Sequence, residues 1–109
     1  VINIHNIANK IIQVIKGMIE EEIIVCDTES LIIASSDKSR IGCRHEGAEE
    51  VIKSREQLII DKQMTKQLSG VKTGINLPLF FNRNVVGVIG ITGDIEKVKP
   101  FGEIVRKMT

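Results

Sequence analysis

Ile75-Asn76-Leu77-Pro78-Leu79-Phe80-Phe81-Asn82-Arg83-Asn84-Val85-Val86-Gly87-Val88-Ile89-Gly90-Ile91-Thr92 is the stretch that decides the fold. Residues 75–81 and 85–92 are rich in β-branched and aromatic side chains and read as two strands. Asn82-Arg83-Asn84 joins them as a tight turn, since asparagine tolerates left-handed backbone. A turn that short makes the pair antiparallel. Pro78 lacks a ladder donor, which predicts an edge position or a bulge in the first strand.

Working outward, residues 22–27 and 31–35 predict a second hairpin about Thr28-Glu29-Ser30. Residues 36–44 read as loop. Residues 46–54 carry Ala48, Val51 and Ile52 on one face and predict a short helix. Residues 57–60 predict a short strand. Residues 61–68 predict one or two helical turns capped by Asp61 and broken at Ser69-Gly70. At the front of the chain, Ile4, Ile7, Ala8, Ile11, Ile12, Ile15, Met18 and Ile19 recur at spacings of three and four, an amphipathic helix. Its bland role is packing on a sheet. The breadth of the stripe leaves pairing with another copy open. Pro100 predicts the start of a last helix over residues 101–108. Hairpins dominate this order, so an α+β fold with an antiparallel sheet and helices on it fits better than a doubly wound one.

Composition narrows the function. The chain of 109 residues is 42% hydrophobic, enough for one domain with a core that is almost entirely aliphatic. It has no Trp or Tyr and three Phe, which argues against single-stranded nucleic-acid binding by stacking. Fifteen basic and fourteen acidic residues leave a formal charge of +1, too balanced for a DNA-binding footprint. No apolar run reaches membrane-span length. Cys26 and Cys43 form no framework, so a reducing cytoplasm is the expected location.

Two blocks point to a small oxygen-rich anion. Ser39-Arg40-Ile41-Gly42-Cys43-Arg44-His45-Glu46-Gly47-Ala48 sets two guanidinium groups and an imidazole before a helix N-terminus. If Glu46, Gly47 and Ala48 begin that helix, their N–H groups are orphan donors pointing toward the arginines. Val71-Lys72-Thr73-Gly74-Ile75-Asn76-Leu77-Pro78 adds a cation, a glycine and an amide. Asn76 lies in an apolar strand, and a buried amide needs partners from backbone or ligand. Arg40 reads as an exposed loop residue with few other partners, so its removal should spare the fold.

Other chemistries are weaker. A Cys43–His45 nucleophile is conceivable, but an i, i+2 pair in a loop rarely has the right geometry. His5, Cys26, Cys43 and His45 lack metal-ligand spacing. Gly87-Val88-Ile89-Gly90-Ile91-Thr92-Gly93 is not the dinucleotide fingerprint, and its glycines serve close approach by a neighbour or a ligand. No cofactor is expected.

Arg40-Ile41-Gly42, His45-Glu46-Gly47-Ala48, Gly74-Ile75-Asn76-Leu77-Pro78, Gly87 to Gly93 and Phe101-Gly102-Glu103 together resemble the sugar diacid recognition domain. That domain is the N-terminal sensor of bacterial transcriptional regulators of sugar diacid utilisation. The resemblance covers almost the whole chain, several blocks in order. It implies a PAS-like or Cache-like domain with a five-stranded antiparallel sheet flanked by helices. It implies ligands such as glycerate, glucarate or galactarate, and a DNA-binding region elsewhere in the regulator, absent from residues 1–109. Carried over, Arg40, His45 and the backbone of Glu46, Gly47 and Ala48 hold one carboxylate, with Ile41 and Gly42 beside them. Lys72, Gly74, Ile75 and Asn76 line the opposite wall, and Gly90, Thr92 and Gly93 close the site. Cys43-Arg44 and Thr73 depart from the family pattern beside this pocket, which leaves ligand preference open.

The leading expectation is therefore a non-enzymatic sensor of a hydroxylated carboxylate, forming a homodimer through its N-terminal and C-terminal helices. Two alternatives stand beside it: a dimerisation module with a vestigial pocket, and an enzyme acting on a hydroxy acid through Cys43 or His45.

Overall fold

A computed structural model describes residues 3–103 of the chain. Helix α1 (Ile4–Lys16) is capped by Asn3, whose side chain accepts from the His5 N–H at 3.0 Å. Strands β1 (Glu22–Cys26) and β2 (Ile32–Ser35) form the first hairpin. A 3-10 turn, Lys38–Arg40, interrupts the expected loop. Helix α2 (Glu46–Ser54) has the expected bounds and ends on Arg55 in the left-handed conformation. Then come β3 (Leu58–Ile60), the single turn α3 (Met64–Gln67), β4 (Gly74–Phe81) and β5 (Asn84–Thr92). Asp61 serves as expected, accepting from the Met64 N–H at 2.9 Å. The short helix α4 (Ile95–Val98), capped by Asp94, was not foreseen. Pro100 precedes helical residues 101–103, and the rest of the expected last helix lies outside the described residues.

The five strands form one antiparallel sheet in the order β2-β1-β5-β4-β3, an α+β architecture compatible with the PAS-like expectation. The β4–β5 turn is tighter than the sequence indicated. Asn82 and Arg83 both take positive φ, 50° and 68°, and Asn84 already pairs with Phe81. That is the two-residue geometry matching strand twist. Pro78 is explained by the length of β3, which pairs only with Gly74, Ile75 and Asn76. From Leu77 onward β4 has β5 alone as a partner, so it is interior at one end and an edge at the other. A bulge follows between Leu79 and Phe80.

Both faces of the sheet are covered. Ile4, Ala8, Ile12 and Ile15 of α1 pack with Ile23, Val25, Ile75, Leu77, Ile89 and Ile91. Alternation along the strands sends the intervening residues to the other face, where Ala48 and Val51 of α2 meet Ile24, Cys26, Ile32 and Val88. Burying each such aliphatic side chain contributes roughly 1.5–3 kcal/mol. The α2 face differs in one respect: its rows continue into Asn76, Gly90, Glu22 and Thr92, which are not aliphatic.

Candidate functional site

Helix α2 opens on a buried histidine. His45 is its N-cap, and its Nδ1 accepts from the Ala48 N–H at 3.0 Å. The residue is only 2% exposed. Burial, helped by the nearby Arg40 guanidinium, pushes the imidazole down to about 4, so it is neutral at pH 7. With Nδ1 accepting, the proton of the neutral ring sits on Nε2, which is left to donate. Of the three first-turn N–H groups expected to be orphans, two have partners. Ala48 has the His45 ring, and Glu46 donates to the Ser69 carbonyl at 3.1 Å while its Oε1 accepts from the Ser69 N–H. Gly47 N–H has no partner among the described residues.

Gly47 stands inside a nine-residue helix, where glycine costs about 1 kcal/mol against alanine. The reason is close approach. A Cβ there would lie 2.6 Å from Asn76 Nδ2, 2.8 Å from Ile60 Cδ1 and 2.9 Å from His45 Cε1. Gly90, paired with Asn76 in the sheet, is the matching case: its Cβ would lie 2.6 Å from Asn76 Oδ1. The Asn76 carboxamide is thus packed between a glycine of the helix and a glycine of β5. It is 3% exposed, and its Nδ2 has no hydrogen-bond partner among the described residues. Leaving such a donor unpaired costs about 1–3 kcal/mol, which an acceptor supplied from outside would recover.

The charged groups lie one pleat further along the same face. Glu22, Thr92 and Gly74 are neighbours across three strands, two residues from the Ile24, Gly90 and Asn76 row. Two residues of strand span roughly 7 Å. Arg40 donates from Nη1 to Glu22 Oε1 at 2.8 Å and from Nη2 to the Gly70 carbonyl at 2.6 Å. Lys72 Nζ lies 3.1 Å from Glu22 Oε2. The two cations therefore share one protein carboxylate.

This corrects the reading of Arg40 as an exposed residue with few partners. Its side chain is 12% exposed and ties the 3-10 turn to β1 and to the loop before β4. Arg40→Ala should therefore destabilise the domain by about 1.5–3 kcal/mol, since it breaks hydrogen bonds to a charged group and leaves Glu22 with Lys72 as its one cation among the described residues. Urea unfolding of the variant checks this, and an unchanged midpoint would return Arg40 to the surface.

The remaining expected residues divide. Glu46, Gly47, Asn76, Gly90, Gly74, Thr92, Lys72, Arg40 and His45 gather on the α2 side of the sheet. Ile75 does not, because alternation turns it into the α1-side core. A Cβ on Gly93 would meet Glu21 and Val98 instead of this cluster. Ile41 is exposed, and the Gly42 N–H is bonded to the Ile32 carbonyl at 2.8 Å. Arg44 turns away to pair with Glu49. Cys43 is exposed, while burial pushes the Cys26 thiol up to about 12. Sequence reasoning missed Glu22, Ser69 and Gly70. A concavity lined by Asn3, His5, Asp27 and Glu29 lies at the opposite end of β1, and its two carboxylates disfavour an anion. Among the described residues there is no cluster of metal-ligating side chains, and no helix is long and apolar enough to cross a membrane.

The family model described as "Putative sugar diacid recognition" matches residues 4–109. The chain belongs to the sugar diacid recognition family. The chain is 47% identical over 103 residues to an uncharacterised Bacillus subtilis protein, YsfB, covering 94% of this chain and 28% of that one. It is 43% identical over 88 residues to the carbohydrate diacid regulator of Escherichia coli, covering 81% of this chain and 23% of that one. A Haemophilus influenzae protein is 33% identical over 103 residues. This diacid recognition domain thus spans about a quarter of the length of the curated relatives it matches.

Proposed function

We propose that residues 1–109 are one ligand-sensing domain of a bacterial transcriptional regulator, binding a small hydroxylated carboxylate without turning it over. The observation that carries this reading is the buried Asn76 amide, unpartnered at Nδ2 and packed against Gly47, whose N–H is also without a partner among the described residues. The neutral His45 ring adds a third donor. Arg40 and Lys72, one pleat away, supply the positive charge that a carboxylate needs. Glycerate, glucarate and galactarate have the matching chemistry, a carboxylate at one end or at both and hydroxyls on the other carbons. Turnover through Cys43 and His45 is disfavoured because His45 Nδ1 is held by the helix it caps. DNA binding belongs to another part of the full-length regulator, which works in the cytoplasm.

A thermal-shift series with glycerate, glucarate, galactarate and tartrate tests the reading. A ligand that binds only the folded state adds about 2.7 kcal/mol at a hundred times its dissociation constant. For a chain of this size the melting point should rise by about 10 °C or more. No shift with any of the four acids contradicts a sensor role.

We also propose a homodimer built on the outer face of α1. Ile7 and Val14 are exposed there, half-buried Ile11 completes spacings of four and three, the seam of a two-helix pair, and exposed Met18 follows in the turn just past the helix end. Sedimentation should show a dimer that Val14→Glu converts to monomer. A monomer at all concentrations removes this part of the proposal.

A further inference from the structure

We infer that residues 69–72 are the gate of the site: this strap swings away to let an acid in, and its return closes the acid off from solvent. The inference rests on the reading that a hydroxylated acid binds beside Asn76, and it adds the route by which the acid arrives. His45 is 2% exposed, Asn76 is 3% exposed and Gly47 is buried. The donors offered to the ligand are therefore out of reach of a solute, and some element has to move. Neither the sheet nor α2 is suited to that. The strands are laddered to one another, and Ala48 and Val51 of α2 are wholly buried in the core.

The strap is held differently. It is anchored at its two ends, where the Leu68 N–H donates to the Met64 carbonyl and the Thr73 carbonyl accepts from the Gly93 N–H, each at 2.9 Å. Between those anchors Ser69, Gly70 and Lys72 are exposed and Val71 is half-buried. Polar tethers hold this stretch down. The Ser69 carbonyl accepts from the Glu46 N–H at 3.1 Å, and the Ser69 N–H donates to Glu46 Oε1. The Gly70 carbonyl accepts from Arg40 Nη2 at 2.6 Å, and Lys72 Nζ reaches Glu22 Oε2 at 3.1 Å. The tethers run to α2, to the 3-10 turn and to β1, so the strap crosses from helix to sheet at the end where α2 begins. Exposed polar tethers exchange for water at small net cost, whereas opening the core does not. Lys72 rides on the strap, so closure also brings a cation to the acid. Gly70 is the tightest point: at φ 74° a Cβ there would lie 2.2 Å from the Arg44 carbonyl oxygen, so only glycine lets the strap close this far.

Amide hydrogen exchange on the ligand-free domain reads the opening. The Glu46 N–H is freed when the strap lifts, while the Ala48 N–H keeps its bond to His45 Nδ1. Corrected for intrinsic rates, Glu46 should exchange about tenfold faster than Ala48 or more. Gly70→Ala should remove the protection of Glu46 and leave that of Ala48. Equal exchange at the two amides would overturn the inference. Line-shape titrations by nuclear magnetic resonance read the gate itself, with whichever of glycerate, glucarate, galactarate and tartrate gives the largest thermal shift. Glu46→Ala cuts the Ser69 tether with the acid absent or bound. Association and dissociation should both speed up by about threefold or more, with the dissociation constant changed by less than about twofold. Loss of a direct contact with the acid speeds dissociation alone. Glu46→Gln keeps the acceptor and drops the charge, so it should keep rates near those of the wild type. Faster dissociation alone in Glu46→Ala, or Glu46→Gln behaving like Glu46→Ala, contradicts the gate and leaves the sensor reading standing. If Gly70→Ala does not fold, the wild-type exchange and the Glu46 pair decide. If none of the four acids binds, the sensor reading fails and the inference falls with it.

Discussion

Gly47→Ala should unfold this domain more readily, with a melting point lower by about 10 °C. Helix propensity alone gives the opposite sign, because alanine in a helix interior is about 1 kcal/mol better than glycine. Sterics decide. The added methyl would meet Asn76 Nδ2 at 2.6 Å, Ile60 Cδ1 at 2.8 Å and His45 Cε1 at 2.9 Å. All three belong to residues fixed from different directions: a central strand, the short strand beside it and the helix cap. Relief in one direction tightens another. Overpacking of that kind costs about 1–3 kcal/mol, beyond what propensity returns. About 4–8 °C accompanies each kcal/mol in a domain of this size. The same methyl fills the space beside Asn76, so acid binding should be lost together with stability. Differential scanning calorimetry decides the first point. A melting point equal to or above the wild type would mean that helix and sheet are not in close contact at Gly47.

Stability should also fall as pH drops from about 6.5 to about 4, with His45 as a principal cause. The unfolded imidazole titrates near 6.5 and the folded one near 4, chiefly because burial penalises the charged ring. Between those values the unfolded chain binds more protons than the folded one, so acid favours unfolding. His45 stability is fully present above pH 6.5 and is lost as pH falls through the window. The total is about 3 kcal/mol, from a shift of this size at 1.36 kcal/mol per unit. Protonation also converts Nδ1 from acceptor to donor, which abolishes the bond from the Ala48 N–H. His45→Asn keeps a capping acceptor and cannot titrate. The difference in unfolding free energy between wild type and variant should therefore slope with pH only inside this window. A flat difference from pH 7 to pH 4 would mean that the ring is solvated.

Much of this arrangement is legible in the chain. The β4–β5 hairpin, the first hairpin, α1 and α2 follow from periodicity and turn chemistry, and Asn76 stands out because an amide in an apolar strand needs an explanation. Pro78 signals a real constraint, but the sequence could not say that β4 would be interior for three residues and an edge afterwards. That depends on how far β3 runs. Helix α4 escaped because it is one turn long, with only Asp94 as a cap to mark it. Glu22 escaped for a stronger reason. Its partners are 18 and 50 residues away, so no local pattern connects them. A carboxylate at a strand end reads as solvated until the fold brings Arg40 and Lys72 to it. The same blindness made Arg40 look free. Cations suited to a ligand are equally suited to a protein carboxylate, and only the folded arrangement distinguishes the two.

The site itself can be watched directly. In a titration of the isotope-labelled domain with glycerate, followed by nuclear magnetic resonance, the Asn76 side-chain NH2 and the Gly47 backbone N–H are the reporters. Both are without hydrogen-bond partners among the described residues and both face the proposed ligand. They should move together and saturate at one dissociation constant, with Arg40 and Lys72 side-chain signals following. Saturable shifts that leave Asn76 and Gly47 unmoved, and cluster instead on another part of the surface, would contradict the account.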